Sequence, residues 1–306
     1  MFNSLFPTEG PQRPVACGIE AGITLAKVAL CDASGKLRCF FVRFSEIDAV
    51  LEPMRRMKLQ TIGVTGRGAL GIKLKMGDCV RKYDEFEACG VGARYLMRAG
   101  RHDVNRSFVV TDVGTGTSVI AVEGRHVRRL GGTALGGGAL IGLCRAITRR
   151  NLSYAEIAEL IKTGDRARVD LQVHDVYEGG EVNIAPSFTA SNFGRVALSG
   201  MPEGQESDLV LGVIGMIGEN IALLSCSLAD TIGCRTVCYG GTTLRNIESL
   251  TKTLCDTSVA LGKQALVLPH CEYLGALGAL ELCHPSQETV RVGGDKMTEE
   301  LSRGRG

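Results

Sequence analysis

The chain has 306 residues, with 35 Lys and Arg against 33 Asp and Glu, so its formal net charge is +2. This length accommodates two domains that each bury a core. The near balance of charge argues against a nucleic-acid partner, because a surface that binds phosphate backbones usually shows a marked basic excess. We find no stretch approaching the ~18 apolar residues that would span a bilayer and no apolar leader, so we expect a cytoplasmic protein without a membrane partner.

Hydrophobic periodicity predicts strands and helices that alternate along the chain. The predicted strands cover residues 15–20, 25–31, 39–44, 235–239 and 265–269, with further strands in TIGVTGRGA and on both sides of the turn in SFVVTDVGTGTSVIAVEG. The predicted helices cover about residues 84–98, 139–149, 154–163, 209–229, 244–253 and 275–283. We divide the chain into an N-terminal tail (1–14), an N-terminal domain (15–105), a C-terminal domain (106–284) and a loose C-terminal tail (285–306).

The twelve cysteines are scattered singly, mostly within apolar runs, and none forms the CxxC spacing of a zinc site. Without a secretion signal, we interpret them as reduced, buried thiols that act as small hydrophobic side chains. A metal cluster shared between two subunits is the alternative.

A weak internal repeat relates GIEAGITLAKVAL to VTDVGTGTSVIAV and places Glu20 and Asp112 in equivalent positions. Each copy has an acid, a turn with Gly and Thr, and a second strand. Glycines at the tip of a hairpin expose backbone N–H groups and hydroxyls to an anion, and two facing hairpins would hold a chain of phosphates from both sides. One such segment alone would be interpreted as an ordinary β-hairpin with a Gly-rich turn; its repetition favours phosphate binding.

The glycine run of RRLGGTALGGGALIGLCRAI leads directly into an apolar helix. The first N–H groups of a helix are unpaired and lie at the positive end of its dipole, so Gly136, Gly137 and Gly138 are candidates for an anion-binding cradle. A triple glycine can also be a flexible linker. The apolar flanks, with Arg128 and Arg129 close by, favour the cradle.

Several separated motifs resemble the type II pantothenate kinases, within the actin/hexokinase/Hsp70 ATPase superfamily, from about Ala16 to Leu282. These motifs are VGTGTS, GGTALGGGALIGL, GDRARVDLQVHDVY, FTASNFG, YGGTTLRN and GALGAL, in the family's order. The resemblance implies an α/β fold of two actin-like (ribonuclease H-like) domains, with mixed sheets flanked by helices and a nucleotide cleft between them. It also implies a homodimer.

The activity implied by the resemblance is ATP-dependent phosphorylation of the primary hydroxyl of pantothenate, or of a pantetheine-like alcohol, at the first step of coenzyme A biosynthesis. ATP and Mg²⁺ are the implied cofactors, and coenzyme A or an acyl-CoA is a candidate feedback ligand.

Glu85, in YDEFEA, matches the family's catalytic glutamate. Asp84 and Glu87 resemble a capping box, which would place Glu85 in the first turn of a helix. The helix dipole favours the ionised carboxylate that a proton acceptor requires. From the residues alone, a glutamate at a helix start is more often a solvated charge. Arg129 matches the arginine that contacts substrate and developing charge, and its neighbour Arg128 should be exposed if this segment is extended.

The resemblance assigns the remaining site residues to three groups. Lys27 matches a lysine that contacts phosphates, a role suited to a flexible point charge. The residues expected to bind the nucleotide and its phosphates are Glu20, Gly22, Thr24, Lys27, Asp112, Gly114, Gly116, Gly136, Gly137, Gly138, Gly240, Gly241 and Thr242. The hydroxyls of Thr115 and Ser118 are expected near pantothenate, although in such a turn they could bond their own backbone. Glu20 or Asp112 is the candidate side chain on the metal side of the nucleotide.

The first loop departs from the family pattern Asp-x-Gly-Gly-Thr and reads EAGIT. Glu20 moves the carboxylate outward by one methylene group, which changes how a hydrated Mg²⁺ would be held. Ile23 replaces a glycine, and a β-branched residue is unfavourable wherever positive φ or close approach to a phosphate is required. If Ile23 limits this loop, Ile23→Gly should tighten ATP binding.

Two other functions compete with the kinase. One is an ATPase that drives a conformational change, as in the iron–sulfur activators of acyl-CoA dehydratases in the same superfamily, and it draws on the high cysteine count. The other is a catalytically weak pantothenate kinase homologue with a regulatory or binding role, and it draws on Ile23.

Overall fold

The computed structural model describes residues 6–7, 10–59, 61–177, 188–199 and 205–285, so half of the predicted N-terminal tail and all but the first residue of the predicted C-terminal tail lie outside the described residues. The strands are β1 (Pro14–Ala21), β2 (Leu25–Asp32), β3 (Leu37–Arg43), β4 (Thr61–Thr65), β5 (Val80–Lys82), β6 (Phe108–Val113), β7 (Thr117–Glu123), β8 (His126–Thr133), β9 (Leu171–Gln172), β10 (Thr189–Ser191), β11 (Thr236–Gly240) and β12 (Gln264–Val267). The α-helices are α1 (Asp48–Arg56), α2 (Ala69–Met76), α3 (Glu85–Ala99), α4 (Gly137–Thr148), α5 (Tyr154–Leu160), α6 (Val173–Val176), α7 (Gly194–Ser199), α8 (Glu206–Asp230), α9 (Glu248–Ala260) and α10 (Leu274–Cys283).

The chain forms two compact units. The first unit comprises the described residues of Met1–Asp112, Ile120–Leu130 and Val267–Gly306, and the second those of Val113–Val119 and Gly131–Leu266. The closing helix α10 therefore belongs to the unit that contains the N-terminal strands. The two five-stranded sheets have the strand orders β3-β2-β1-β4-β5 and β12-β11-β6-β7-β8.

In the first sheet, β1, β2 and β3 form an antiparallel meander, and β4 and β5 continue it in parallel. The register pairs Glu20 of β1 with Lys27 of β2. The apolar residues of these strands form a core with fully buried Phe40 and Ile62. Helices α3 and α10 pack against each other, and α10 also packs on β1 and β4.

Two helices of the first unit are absent from the sequence prediction. Helix α1 contains Pro53, which normally argues against a helix interior. Helix α2 follows Gly68 and ends at Met76, before Gly77, and its sequence ALGIKLKM alternates in the manner of a strand. Their buried residues, among them Met54 and Ile72, pack into the same core as the sheet. Tertiary packing therefore outweighs the local signals.

Most other predicted elements are confirmed to within about three residues at each end. The predicted helix at 244–253 is misplaced. Residues Thr242–Asn246 form a 3-10 helix, and α9 begins only at Glu248. Predicted helix 154–163 is α5 followed by a 3-10 turn at Ile161–Thr163.

The expectation that no segment approaches the length and hydropathy of a membrane span is wrong for α8. This helix has 25 residues, with an 18-residue window of mean hydropathy 1.9. The sequence prediction counted uninterrupted apolar residues, whereas α8 carries scattered polar ones such as Asn220 and Ser225. Because 67% of the window is buried, α8 has the properties of a core helix of the second unit.

All twelve cysteines are free thiols, and ten of them are buried, whereas Cys79 and Cys255 are half-buried. Burial raises the pKa of several, including Cys144 and Cys283 to about 11 each. The thiols whose pKa is raised are therefore protonated at neutral pH, as expected of apolar filling residues.

Candidate active site

The first of the two repeated hairpins joins β1 to β2 through Gly22, Ile23 and Thr24. The N–H of Gly22 donates to the carbonyl of Leu25 at 3.1 Å, which closes the turn. A side chain at Gly22 would contact that carbonyl at 2.7 Å, so the tight turn requires glycine there. Thr24 is exposed at the tip, and its carbonyl accepts from the N–H of Phe44 at 2.9 Å.

Lys27 and Glu20 form a salt bridge on this hairpin, with 2.5 Å between Nζ and Oε1. Their side chains are only 11% and 14% exposed, so solvent screens the pair weakly. Burial lowers the pKa of Lys27, but the charges of Glu20 and Asp112 outweigh it and raise the net pKa. Lys27 is therefore cationic, and Glu20 already holds one face of its ammonium group.

Asp112, at the end of β6, is the second carboxylate beside Lys27. Burial raises the pKa of Asp112 to about 6, an effect that Lys27 opposes and that Glu20 and Glu85 increase. These four side chains, Glu20, Lys27, Glu85 and Asp112, form what we call the lysine–carboxylate cluster of the first unit. With three acids around one lysine, the cluster carries excess negative charge and favours a cation.

Glu85 is the first residue of α3, as predicted. The Asp84 side chain accepts hydrogen bonds from the N–H groups of Phe86 and Glu87 at 2.9 and 3.0 Å and so caps the helix. The helix dipole does not lower the pKa of the Glu85 carboxyl overall. Burial and the charge of Glu20 raise the pKa of Glu85, although Lys27 and Arg67 limit the rise. A higher pKa makes the ionised carboxylate a stronger proton acceptor.

Arg129 lies on β8, and its guanidinium is 5.5 Å from the ring centroid of Phe86. Phe86 directly follows Glu85, so Arg129 lies against the first turn of α3, within the first unit. Arg128 is exposed and pairs with Glu123 at 3.1 Å, whereas no ion pair to Arg129 occurs in the described part of the chain. The guanidinium of Arg129 is thus available to an anionic ligand.

The second hairpin loop, Gly114–Gly116, lies in the second unit and is fixed by backbone hydrogen bonds. The N–H of Gly114 donates to the carbonyl of Gly116 at 2.9 Å. Thr115 is exposed at the tip and Ser118 is half-buried on β7. Within the described residues, neither hydroxyl has a hydrogen-bond partner, which leaves both available to a ligand.

Gly136, Gly137 and Gly138 lie against this loop, and their predicted mode of action needs correction. The N–H groups of Gly137 and Gly138 donate to the carbonyls of Gly114 and Thr115 at 2.8 and 2.9 Å. Those two donors at the start of α4 are therefore used within the protein and do not face an anion. A side chain at Gly136 would lie 2.8 Å from the Thr115 carbonyl, so this glycine permits the close packing of the two segments.

The turn Gly240–Thr242 follows β11 and is tied to the same loop. Gly241 has φ of 104°, a conformation that favours glycine. The next residue after the turn, Thr243, is buried, and its hydroxyl donates to the carbonyl of Gly114 at 2.9 Å. The turn and the loop therefore form one hydrogen-bonded group within the second unit.

Known proteins match this chain over the segments that contain these site residues. The Fumble family profile matches residues 26–281. The type II pantothenate kinase of Bacillus thuringiensis subsp. konkukian (strain 97-27) is 32% identical over 266 residues, which cover 86% of this chain and 95% of that protein. The type II pantothenate kinase of Staphylococcus saprophyticus is 29% identical over 266 residues, covering 87% of this chain and 99% of that protein.

The chain belongs to the Fumble family of type II pantothenate kinases. The family match contains Lys27, Glu85, Asp112 and all later predicted site residues. It begins after Glu20, Gly22 and Thr24, so the departing turn EAGIT lies just outside it.

Solved structures confirm the fold class expected of this kinase family. The (R)-2-hydroxyglutaryl-CoA dehydratase component A of Acidaminococcus fermentans has a TM-score of 0.59 at 19% identity, covering 88% of this chain and 96% of that one. A ROK family glucokinase of Streptomyces griseus, in complex with glucose and AMPPNP, has a TM-score of 0.56 at 13% identity, covering 88% and 98%. At these identities the likeness concerns the fold alone.

The structure corrects the expected strain at Ile23 of this family member. Neither Gly22 nor Ile23 has positive φ, and the Ile23 side chain is 67% exposed. A β-branched residue is therefore compatible with the backbone of the first hairpin.

Sequence reasoning missed four residues around the site. Arg67 limits the pKa of Glu85, and Phe86 stacks under Arg129. Thr243 holds the second loop, and the Tyr154 hydroxyl lies beside it, close to Gly137. Arg67 in VTGRGA, a charged residue in a Gly-rich turn after a buried strand, was the one detectable signal.

Proposed function

We propose that this protein transfers the γ-phosphoryl group of ATP to the primary hydroxyl of pantothenate, the first step of coenzyme A biosynthesis. The observation that carries the proposal is the family match over residues 26–281, which contains Glu85 beside Lys27 and Asp112 in one charged cluster. The substrate is inferred from the relatives named type II pantothenate kinase, and the reaction is inferred from the charged groups of the cluster.

Glu85 accepts the hydroxyl proton of pantothenate as that oxygen attacks the γ-phosphorus and the bond to ADP breaks. Its raised pKa suits this proton transfer. Lys27 contacts the phosphate oxygens through the N–H groups of its ammonium that Glu20 does not accept. Arg129 stabilises the negative charge of substrate or transition state.

The hairpin turns Gly22–Thr24 and Gly114–Gly116 bind the phosphates of ATP, and Gly240–Thr242 binds its nucleoside part. Thr115 and Ser118 bind pantothenate through their hydroxyls. Gly136, Gly137 and Gly138 act indirectly, because they support the second loop.

Mg²⁺ fits the donors of the lysine–carboxylate cluster, because oxygen ligands from one or two carboxylates plus substrate phosphates are its usual coordination in kinases. Asp112 is the better ligand, since Glu20 is engaged with Lys27. The ion would neutralise charge on the phosphates and would favour the ionised form of Asp112.

The cytoplasmic location, the homodimer, the feedback by coenzyme A or acyl-CoA and the four-part domain division (1–14, 15–105, 106–284, 285–306) stay predictions. Acceptance of a pantetheine-like alcohol does too.

The decisive experiment incubates purified protein with Mg²⁺, [γ-³²P]ATP and pantothenate and follows labelled phosphopantothenate. Pantetheine and glucose serve as alternative acceptors. We expect label on pantothenate, no label on glucose and loss of the product in Glu85→Gln. Phosphorylation of glucose alone, or ATP hydrolysis without acceptor labelling, would overturn the proposal.

The activator alternative makes a different prediction for the thiols. We expect twelve reactive thiols after denaturation without reductant, and in the native protein rapid reaction of at most Cys79 and Cys255. A brown, iron-containing protein from anaerobic purification would favour the activator alternative.

A further inference from the structure

The carbonyl of Gly114 is held from two sides. It accepts the N–H of Gly137 at 2.8 Å and the hydroxyl of Thr243 at 2.9 Å. Both lone-pair directions of this oxygen are therefore occupied, which leaves the peptide that links Gly114 to Thr115 little rotational freedom. A loop with two glycines is otherwise free to adopt many conformations.

Tyr154, the first residue of α5, lies next to this contact. Burial raises the pKa of Tyr154, and the neighbouring Thr243 hydroxyl opposes the rise. Tyr154 therefore flanks the contact between Thr243 and Gly114 and limits the space in which the Thr243 side chain can move.

The space around the hydroxyls of Thr243 and Tyr154 is closely filled. A methyl group at Gly137 would lie 2.5 Å from both the Thr243 hydroxyl oxygen and the Tyr154 hydroxyl oxygen. Thr243 is 4% exposed, so water cannot easily replace its contact with Gly114. Thr243 and Tyr154 lie outside the residues that sequence reasoning assigned to the nucleotide.

We propose that Thr243 is a positioning residue for ATP, which fixes the Gly114–Gly116 loop in its phosphate-binding conformation, and that Tyr154 supports it. This inference rests on the proposed function in that the loop is taken to bind ATP phosphates. The bond also joins the turn assigned to the nucleoside to the loop assigned to the phosphates, so one threonine couples the two halves of nucleotide recognition.

The test compares Thr243→Val, Thr243→Ser and Tyr154→Phe with the wild type. Calorimetry with Mg²⁺ and AMPPNP gives the nucleotide affinity, and initial rates give KM for ATP and for pantothenate. We expect Thr243→Val to weaken AMPPNP binding by about five- to thirtyfold, because a buried acceptor loses one of its donors. Tyr154→Phe should weaken it by about twofold, and Thr243→Ser should restore most of the affinity.

Matched controls separate positioning from general destabilisation. Thr253→Val removes a threonine hydroxyl that bonds only the Ser249 carbonyl within α9, and Tyr177→Phe alters a half-exposed tyrosine; both should bind AMPPNP as the wild type does. The double variant of Thr243→Val and Tyr154→Phe should be no weaker than Thr243→Val alone, since the tyrosine acts through the threonine.

Equal AMPPNP affinity of folded Thr243→Val and wild type overturns this inference, as does an affinity loss that Thr243→Ser fails to restore. A wild type that binds AMPPNP but does not phosphorylate pantothenate overturns the proposed function instead. In that case a selective loss of AMPPNP binding in Thr243→Val still supports the role of Thr243.

Discussion

The two repeated hairpins follow one sequence plan but are stabilised in different ways. In the first, an ion pair between Glu20 and Lys27 joins the strands, and the tip residues Ile23 and Thr24 are exposed. In the second, two of the three loop residues are glycines, and the loop is fixed by backbone hydrogen bonds from the start of α4 and by the hydroxyl of Thr243. The first hairpin is therefore organised by charge and the second by backbone packing. A shared motif predicts that both bind phosphates, and its surroundings decide how each does so.

Replacing Glu85 should have the largest effect of the variants considered for the first unit. We expect Glu85→Gln to lower kcat by about 10²–10⁴-fold, because it removes the proton acceptor. AMPPNP affinity should stay near that of the wild type, since neither hairpin tip is altered. Glu87→Gln is the matched control, an exposed glutamate in the same helical turn, and should keep full turnover. Near-normal kcat for Glu85→Gln would remove it from the mechanism.

Part of this arrangement was readable in the sequence, and part was not. The strands, the Asp84 cap and the position of Glu85 follow from local patterns and motif spacing. The contact between Thr243 and Gly114 joins residues 129 positions apart, and no local pattern reports it. The stacking of Arg129 on Phe86 is likewise set by packing of β8 near α3.

Other errors have a common physical origin, since burial overrides a local preference. Helix α1 was not predicted, because Pro53 disfavours a helix locally, although the helix buries one face in the core. The dipole argument for Glu85 was outweighed by desolvation and by Glu20. Free N–H groups were expected at Gly137 and Gly138, but the second loop is their acceptor.

The charge-based organisation of the first hairpin can be tested through the pH profile. Glu85 must be ionised to accept a proton, so turnover should be lost as pH falls through its raised pKa. Glu20 raises that pKa, and Glu20→Gln should therefore move the acid limb of the kcat profile to lower pH. The measured quantity is the pH at the midpoint of the acid limb, which does not depend on any decrease in the maximal kcat. A limb that stays in place or moves to higher pH contradicts the assigned coupling.

The acids of the two repeats should have opposite effects on stability. Asp112 has a folded-state pKa of about 6 against an ordinary value near 4, so its buried charge destabilises the fold above pH 6 and less so as pH falls. Asp112→Asn should raise the Tm at pH 8 and have a smaller effect at pH 5. Glu20→Gln should lower the Tm at pH 8, because it leaves Lys27 without its salt bridge.

Thermal unfolding without ligand, at both pH values, measures this contrast. The same sign for both variants at pH 8 would show that the repeated acids are equivalent after all, and that the contrast between the hairpins does not extend to their acids.

Phe86 offers a smaller test, because Arg129 of β8 lies over the ring of this residue, which directly follows Glu85. A cation–π contact at an exposed site contributes about 0.5–1 kcal/mol. We expect Phe86→Leu to lower kcat/KM for pantothenate about two- to fivefold and to leave KM for ATP unchanged. Phe86→Tyr keeps an aromatic face and should retain activity. Arg128→Ala, which removes only the pair with Glu123, is the control. Equal losses in Phe86→Leu and Phe86→Tyr would exclude the stacking role.

The smallest effect is expected at Ile23, where the first hairpin departs from the family pattern. Tighter ATP binding by Ile23→Gly was expected if the isoleucine strained the loop, but its φ is not positive and its side chain is 67% exposed. We now expect AMPPNP affinity to change by less than about twofold, because an exposed side chain without backbone strain does not hold the turn open. The ligand-free Tm should fall slightly, because glycine is more flexible in the unfolded chain. This flexibility lowers the free energy of unfolding by about 0.5–1 kcal/mol relative to a residue such as alanine. A clear gain in affinity, measured calorimetrically with Mg²⁺, would show instead that Ile23 hinders close approach of the phosphates, and that the first hairpin, like the second, is limited by its backbone.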